Sequence, residues 1–358
     1  MAPGLSPRVV ALEPEERDFE MNMNRLRSFR VATSLLAFCL LAWFSPATAE
    51  AGGTTHNVRV NGDIQAAINA ASDGDTIQLA AGQYDITTTI DPGGKQVTIL
   101  GTVDGNGDPT SILDGGGTFR VLICQSGETS TTVFENLVIQ NGFGENGGGM
   151  SNLYSSNPTL TNCTFTSNSA YLGGGMYNDS SSPTLTDCTF TSNSADYGGG
   201  MYNDSSSPTL TNCTFTSNSA AYYGGGMYNR FSSSPTLTDC TFTSNSASIW
   251  GGGMYNDSSS PTLTDCNFCG NTSGTGNRNI NGSIDGSSSG NLLLLNCNEG
   301  DVNFDLVIDS GDLGYLLALW GASSVLNADI NQDGEVNGAD LAYILSYFGG
   351  ATDATTAP

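Results

Sequence analysis

The chain of 358 residues is poor in basic side chains, because 10 Lys and Arg stand against 35 Asp and Glu, for a formal net charge of −25. Lysine occurs once, at Lys95, and histidine once, at His56. Nucleic-acid binding needs a basic face, which this composition excludes. Binding to anionic membrane surfaces is disfavoured for the same reason.

The chain also lacks the composition of long helices. Charged residues make up 13% of it, about half the usual share of roughly 25%. A coiled coil needs Ala, Glu, Lys, Leu and Arg in bulk, whereas glycine alone numbers 46 here. Since 38% of the residues are hydrophobic, the chain can still bury a large core, and wholesale disorder is disfavoured. These features favour an acidic, β-rich protein.

Long apolar runs are absent except near the N-terminus. The run over 31–44 follows Arg25, Arg27 and Arg30 and precedes the small residues Ala47 to Ala49, a pattern typical of a secretory signal peptide. It is short for a membrane span, which needs about 20 residues. We predict a signal peptide over 1–49, cut after Ala49, and no membrane insertion after cleavage. An uncleaved anchor is the alternative, and the start codon is left open between Met1, Met21 and Met23.

The middle of the chain is a repeat of 25 to 27 residues. Each unit contains the motif GGGM and, later, the motif FxxN. The GGGM motifs begin at Gly147, Gly173, Gly198, Gly224 and Gly251. The FxxN motifs begin at Phe165, Phe190, Phe215, Phe242 and Phe268. Propeller blades are longer than these units, and helical repeats need helix formers that they lack. The repeat therefore predicts one turn of a parallel β-solenoid over 50–298.

In such a solenoid identical residues stack from coil to coil, about 4.8 Å apart. We predict interior rows of the TLT leucines, the FxxN phenylalanines and the GGGM methionines, and a row of FxxN asparagines in a left-handed turn. Five cysteines, from Cys163 to Cys266, form a further row of which some are expected to be buried thiols. Cys269–Cys297 is the disulfide that we favour, although the connectivity cannot be read from the sequence.

The repeats resemble right-handed parallel β-helix proteins of the pectate-lyase-like (pectin-lyase-like) superfamily, and GGxx with FxxN is similar to the repeat of polymorphic outer-membrane proteins. The segment 64–90 is similar to the opening coils of such proteins. Its apolar residues Ile64, Ala67, Ile68 and Ala71 predict a short amphipathic helix that caps the core. The fold class implied is an all-β, right-handed parallel β-helix followed by a small α-helical domain.

Tyrosines follow four of the stacked methionines and should point the opposite way by strand alternation. They are Tyr177, Tyr202, Tyr228 and Tyr255. Two interpretations are open: a face on which carbohydrate rings stack, or self-stacking that stabilises the solenoid. Residues inserted before GGG, such as Tyr222 and Trp250, predict an exposed aromatic corner, because length changes in a repeat fall on exposed corners.

Two segments near the C-terminus have the spacing of calcium loops. Oxygen ligands recur at positions 1, 3, 5, 9 and 12, with a backbone carbonyl at position 7. The first set is Asp301, Asn303, Asp305, Val307 (backbone), Asp309 and Asp312. The second set is Asp329, Asn331, Asp333, Glu335 (backbone), Asn337 and Asp340. Each loop leads into an apolar helical segment. We expect two calcium ions in a domain over 299–350, followed by a disordered tail over 351–358.

This tandem is similar to a type I dockerin domain with EF-hand-like loops. The resemblance implies docking onto a cohesin-like protein on a scaffold or cell surface. The chain departs from the family at Leu306, where glycine is usual, and at Ser310-Gly311 and Gly338-Ala339, where a hydroxyl pair is usual. The departures at Ser310-Gly311 and Gly338-Ala339 fall at the positions that the family uses for partner recognition, whereas the calcium ligands keep their spacing.

The sequence favours a secreted or cell-surface β-helix protein that binds carbohydrate or a cell surface without catalysis. The alternative is a dockerin-bearing polysaccharide lyase or glycoside hydrolase. Dockerin domains usually accompany carbohydrate-active enzymes, which favours the alternative. The repeats carry a single base, Arg230, and no distinctive pair of catalytic carboxylates, which favours binding. No catalytic residue is therefore assigned.

Removal of calcium should unfold residues 299–350, because nine acids and no base in this segment repel one another without the cations. Circular dichroism of the full-length protein should lose helical signal on addition of EDTA and regain it with excess calcium. A spectrum that chelation leaves unchanged would contradict this prediction.

Overall fold

The computed structural model describes residues 53–274 and 279–294. The predicted signal peptide, calcium loops and tail lie outside the described residues. Within the described part the chain winds into a β-solenoid with four parallel sheets, which confirms the predicted architecture. Residues of one repeat pair in register with the same residues of the next, as Leu185 does with Leu160 and Leu210.

Each repeat coil contributes one strand to each of the four sheets in turn, and successive coils extend every sheet by parallel pairing. Sheet 1 comprises Thr55–Val58, Thr76–Leu79, Thr98–Leu100, Val133–Glu135, Thr159–Thr161, Thr184–Thr186, Thr209–Thr211, Thr236–Thr238 and Thr262–Thr264. Sheet 2 comprises Gly82–Asp85, Ser111–Asp114, Leu137–Gln140, Thr164–Thr166, Thr189–Thr191, Thr214–Thr216, Thr241–Thr243, Asn267–Cys269 and Leu292–Leu294. Sheet 3 comprises Phe143–Asn146, Ser169–Leu172, Ser194–Tyr197, Ser219–Tyr223, Ser246–Ala247 and Thr272–Ser273. Sheet 4 comprises Leu122–Cys124, Met150–Leu153, Met176–Asp179, Met201–Asp204, Met227–Arg230, Met254–Asp257 and Ile280–Asn281.

The core consists of the predicted rows of apolar side chains. The leucines of sheet 1, the phenylalanines of sheet 2 and the methionines of sheet 4 are fully buried in every repeat. The phenylalanine rings stack face to face, with centroids 4.7 Å apart for Phe165–Phe190 and 4.5 Å apart for Phe242–Phe268. This spacing is the coil repeat, and it is close to the ordinary distance between paired strands.

Two rows of buried asparagines link the coils. The FxxN row runs from Asn168, whose Nδ2 donates to Asn193 Oδ1 at 2.9 Å, and the same bond repeats along the row. The prediction that these asparagines take the left-handed turn is wrong. The residue before each of them does so, as at Ser192 with φ 55°, because the asparagine must point inward to reach its neighbour. A second amide row, from Asn152 to Asn256 in sheet 4, was not predicted.

The GGG corners bring backbones into close contact. The first glycine of each corner is left-handed, with φ of 66° at Gly198. The third glycine faces the next coil, and a Cβ added at Gly200 would lie 2.5 Å from the carbonyl oxygen of Gly226 and 2.9 Å from the ring of Phe215. A side chain therefore cannot enter this corner without separating the coils.

The N-terminal end of the core is closed by a helix, Ile64–Ala70, as predicted. Asp63 caps its first turn by accepting a hydrogen bond from the backbone N–H of Ala66 at 2.9 Å, and Ile64 and Ile68 are buried. Lys95 Nζ donates to the carbonyl oxygens of Ile68, Asn69 and Ala71 at the other end. The only lysine of the chain thus closes the helix C-terminus, where a cation is favoured. No helix of the described residues is long and apolar enough to cross a membrane.

The tyrosines inserted before GGG lie in the strands of sheet 3, whereas Trp250 follows the short strand Ser246–Ala247 and pairs with Tyr223 through an isolated bridge. The extra residue in this coil shifts the register between Ala195, which pairs with Ala220, and Tyr197, which pairs with Tyr223; a sheet accommodates one additional residue in this way. Side chains at this corner are exposed at Tyr171, Tyr222 and Trp250, in line with the predicted aromatic corner.

Substitution of Gly200 by alanine should destabilise the solenoid, because the added methyl group overlaps the Gly226 carbonyl and the Phe215 ring. Overpacking of this kind costs about 1–3 kcal/mol. Thermal unfolding followed by circular dichroism measures the loss. Gly105→Ala is the matched control, since a Cβ there meets no atom within 4 Å. Equal melting temperatures for the two variants would contradict the close approach.

Candidate functional site

The tyrosines predicted as a carbohydrate-stacking row are packed into the corner between sheets 3 and 4. Tyr177, Tyr202 and Tyr228 are only 6%, 1% and 5% exposed, and Tyr255 is half-buried. Tyr177 and Tyr202 stack at 5.6 Å, and Tyr228 meets the edge of Tyr202 at 4.9 Å. Burial raises the pKa of Tyr177 and Tyr228. The three buried rings offer no face to a sugar, so the structure favours the self-stacking interpretation for them.

Strand alternation correctly predicts that these rings lie on the other face of the strand from the methionines. It does not predict which side chains cover the rings. The side chains of sheet 3 cover them: Leu172 and Tyr197 pack against the buried tyrosines. The accessible aromatic side chains here are Tyr171, Tyr222 and Trp250, which we call the aromatic ridge. Tyr222 stacks on Tyr197 at 5.1 Å, and Trp250 stacks on Tyr223 at 5.3 Å. Each of these two rings thus has one face covered by a neighbouring ring.

A different site lies mainly upstream of the repeats, outside sheet 2, with Ser167 and Ser169 of the first repeat at its edge. A cleft of about 570 Å³ is open here, and we call it the Asp114 cleft. Its lining includes Gln83, Asp85, Asp114, Phe119, Asn141 and Ser169. Asp85, Asp114 and Gln140 are register partners on three consecutive strands. The sheet therefore places two carboxylates and an amide side by side.

Asp114 is the most constrained acid of this cleft, with a side chain that is nearly buried. Its Oδ2 accepts hydrogen bonds from Gln140 Nε2 at 2.7 Å and from Asn141 Nδ2 at 3.0 Å. Its Oδ1 accepts one from the backbone N–H of Gly116 at 2.8 Å. Burial by itself would raise the pKa of Asp114, but these three donors outweigh it and hold the pKa below its usual value. The group is thus an ionised, oriented hydrogen-bond acceptor at neutral pH.

One exposed phenylalanine lines the cleft, and a second one is hydrogen-bonded to it through the backbone. Phe119 lines the cleft and is 38% exposed, and Phe143 is 53% exposed. The two are joined through the backbone, where the N–H of Phe143 donates to the carbonyl oxygen of Phe119 at 3.0 Å. Arg120, which follows Asp114 closely in the sequence, donates from Nε to the carbonyl oxygen of Gly147 at 3.0 Å. Burial lowers the pKa of Arg120, and the charge of the neighbouring Glu145 raises that pKa by a smaller amount.

The cysteine row is buried, as expected. Cys163, Cys188, Cys213, Cys240 and Cys266 are free thiols, as is Cys124 upstream. Burial raises the pKa of the Cys124 and Cys188 thiols well above the usual value, so they stay protonated and unreactive. Cys269 is disulfide-bonded; its expected partner, Cys297, lies outside the described residues.

The twelve predicted calcium ligands, from Asp301 to Asp340, also lie outside the described residues. Within 53–274 and 279–294, no group of three or more His, Cys, Asp or Glu side chains is placed to hold a metal ion.

Two family models match separate parts of the chain. Residues 102–268 match the family model described as right handed beta helix region, and residues 299–349 match the model of the dockerin type I domain. No curated protein sequence matches the chain.

Two solved structures are similar over most of the chain. One is a pectin methylesterase from Aspergillus niger, at 17% identity, covering 69% of this chain and 92% of that one, with a TM-score of 0.36. The other is the pectate lyase Pel9A, at 12% identity, covering 72% of this chain and 84% of that one, with a TM-score of 0.33.

The thiols of the native protein should not react with Ellman's reagent, because burial shields them and keeps them protonated. Denaturant should expose the thiols of Cys124 and of the five-membered row together, in one cooperative step. Thr211→Cys is the matched control, since Thr211 is exposed and its thiol should react at once. Rapid reaction of several thiols in the unaltered native protein would contradict the buried row.

Proposed function

From a right-handed β-helix that carries a C-terminal dockerin type I domain, we propose an extracellular protein that binds carbohydrate or a cell surface without catalysis. The dockerin domain holds two calcium ions through the residue sets that begin at Asp301 and Asp329. It docks onto a cohesin-like protein, and the β-helix presents the binding surface. The signal peptide over 1–49 directs the chain out of the cell and is removed after Ala49.

The observation that carries this proposal is the uniformity of the repeat coils. Outward positions of sheets 1 and 2 are threonines in coil after coil, as at Thr184, Thr209 and Thr236, and the turn that follows each TLT strand carries asparagine or aspartate. Catalysis needs one distinctive constellation of acid and base groups, which identical coils do not provide. The repeat coils therefore provide a rigid support for a binding surface and do not provide a catalytic centre.

A carbohydrate-active enzyme is the second candidate, and the Asp114 cleft is the observation that favours it. Glycosidases use two carboxyl groups that flank the scissile bond, and Asp85 and Asp114 are neighbours across two strands. However, the hydrogen-bond donors that keep Asp114 ionised make it unsuited to donate a proton as a general acid. Asp85 is exposed and accepts a hydrogen bond from Gln83 at 2.8 Å.

Incubation with a panel of insoluble and soluble polysaccharides, in calcium-containing buffer, separates the two candidates. We expect the protein to sediment with at least one insoluble polysaccharide and to release neither reducing ends nor unsaturated products. A control protein with the dockerin domain but a different N-terminal domain shows whether the β-helix is responsible. Release of products that grows with time and enzyme concentration would establish the second candidate and contradict the first. Absence of both sedimentation and products would contradict carbohydrate binding.

A further inference from the structure

We propose that the Asp114 cleft is the glycan-binding site of this protein and that its ligand is a neutral glycan. This inference rests on the proposed carbohydrate-binding function and adds to it a site and a ligand class. It places recognition in the non-repeating coils, away from both the tyrosine row and the aromatic ridge.

The first argument is the shape and apolar surface of the site. Ligand sites are concave and combine aromatic surface with a few well-placed polar groups. Phe119 is an exposed ring in the wall of a cleft of about 570 Å³. Exposed aromatic rings beside a cavity provide a surface on which the apolar C–H face of a sugar can pack.

The second argument is the hydrogen-bonding capacity that the protein leaves unused. A carboxylate has about four acceptor positions, and Asp114 uses three of them, for Gly116, Gln140 and Asn141. The donors fix its orientation and keep it ionised. One acceptor position on Oδ1 is left for a hydroxyl group of a ligand. A charge-assisted bond of this kind is stronger than a bond between neutral groups.

The amide and hydroxyl groups of the lining extend this capacity. Gln83, Asn141 and Ser169 border the cleft, and Asp85 has free acceptor positions beside its bond from Gln83. Such a mixture of donors and acceptors matches the several hydroxyl groups of a sugar ring. The turn at Gly116 and Gly117 is left-handed, and a Cβ at either glycine would meet no atom within 4 Å. That side of the cleft is open to an extended chain.

The third argument is charge, and it selects the ligand class. Two carboxylates and no basic side chain line the cleft. The guanidinium of Arg120, which follows Phe119 in the sequence, donates a hydrogen bond to the carbonyl oxygen of Gly147 and lies near Glu145. A chain of uronic acids would bring further carboxylates to the same place and be repelled. A neutral glycan carries hydroxyl donors and no such penalty.

The aromatic ridge is the weaker candidate site, although its side chains are as exposed as Phe119. Tyr222 and Trp250 are stacked on Tyr197 and Tyr223, so part of their ring surface is already used. The shallow groove beside the ridge is lined mainly by alanine and serine, with a single acid at Asp196. No oriented carboxylate like that of Asp114 accompanies these rings.

The test is isothermal titration of the full-length protein, in calcium-containing buffer, with cellohexaose, xylohexaose, mannohexaose and hexagalacturonate. We expect at least one of the neutral oligosaccharides to bind more tightly than hexagalacturonate. Phe119→Ala should weaken that binding about tenfold or more, as expected for a central aromatic contact. Tyr222→Ala, which removes an equally exposed ring from the aromatic ridge, is the matched control and should leave the affinity unchanged. Thermal unfolding confirms that both variants are folded.

Asp85→Asn tests the charge argument separately. Because the side chain is exposed, the substitution leaves the fold intact. The ratio of the affinity for neutral oligosaccharides to the affinity for acidic ones should fall, because one carboxylate that repels uronic acids is removed. Tighter binding of hexagalacturonate to the unaltered protein would overturn the ligand class. Binding that survives Phe119→Ala, or that is lost in Tyr222→Ala alone, would overturn the site while the proposed function stands. If no oligosaccharide binds while the protein still sediments with insoluble polysaccharide, the site would also be overturned. If the protein neither binds oligosaccharide nor sediments with polysaccharide, the proposed function would be overturned.

Discussion

The structure depends on in-register stacking of identical residues at the distance between paired strands. At this spacing a buried polar side chain can bond to its own counterpart in the next coil, and the asparagines of the FxxN row also donate to a backbone carbonyl, as Asn193 does to Phe165. The two asparagine rows are satisfied in this way, since each amide donates to the next one. An unpaired amide in the same place would cost about 1–3 kcal/mol. This cost keeps the coils uniform, and the apolar rows of leucine, phenylalanine and methionine follow the same register.

Uniformity has a functional consequence. A coil that must match its neighbours has little freedom to form a unique arrangement of side chains, so the repeats provide length and rigidity. The coils before Gly147 do not repeat one another in sequence, and their pairing needs only apolar residues inside. Outward positions there can differ from strand to strand, which is how Asp85, Asp114 and Gln140 come to lie side by side. The repeat coils thus form a rigid rod, and the non-repeating coils carry the proposed binding site.

Much of the rod could be predicted from the sequence, because a repeat fixes which residues are equivalent and strand alternation fixes which face inward. The leucine, phenylalanine and methionine rows and the buried thiols follow from these two rules, and the capping helix follows from the helical spacing of its apolar residues. Tyr202 shows their limit. Alternation sets its side of the strand, but its burial depends on sheet 3, whose strands of alanine, serine and tyrosine did not resemble a covering layer. The left-handed residues before the FxxN asparagines, four serines and Gly270, were missed because an inward amide and a turn residue look alike in sequence.

The Asp114 cleft could not be found in the sequence, because no repeat relates Asp85 to Asp114 or to Gln140. Their proximity is set by register between unlike strands, and the pKa of Asp114 is set by donors that the register delivers. The C-terminal calcium loops are the opposite case, since their ligands are close in sequence and the spacing alone predicts them.

The central claim is that recognition belongs to the non-repeating coils and that the uniform coils are a rod. The most direct measurement is a crystal structure of the protein with the neutral oligosaccharide that binds most tightly. The account predicts sugar electron density in the Asp114 cleft, with a ring against Phe119 and a hydroxyl group on Asp114 Oδ1. Density along the threonine faces of sheets 1 and 2 or on the aromatic ridge, with an empty cleft, would contradict it.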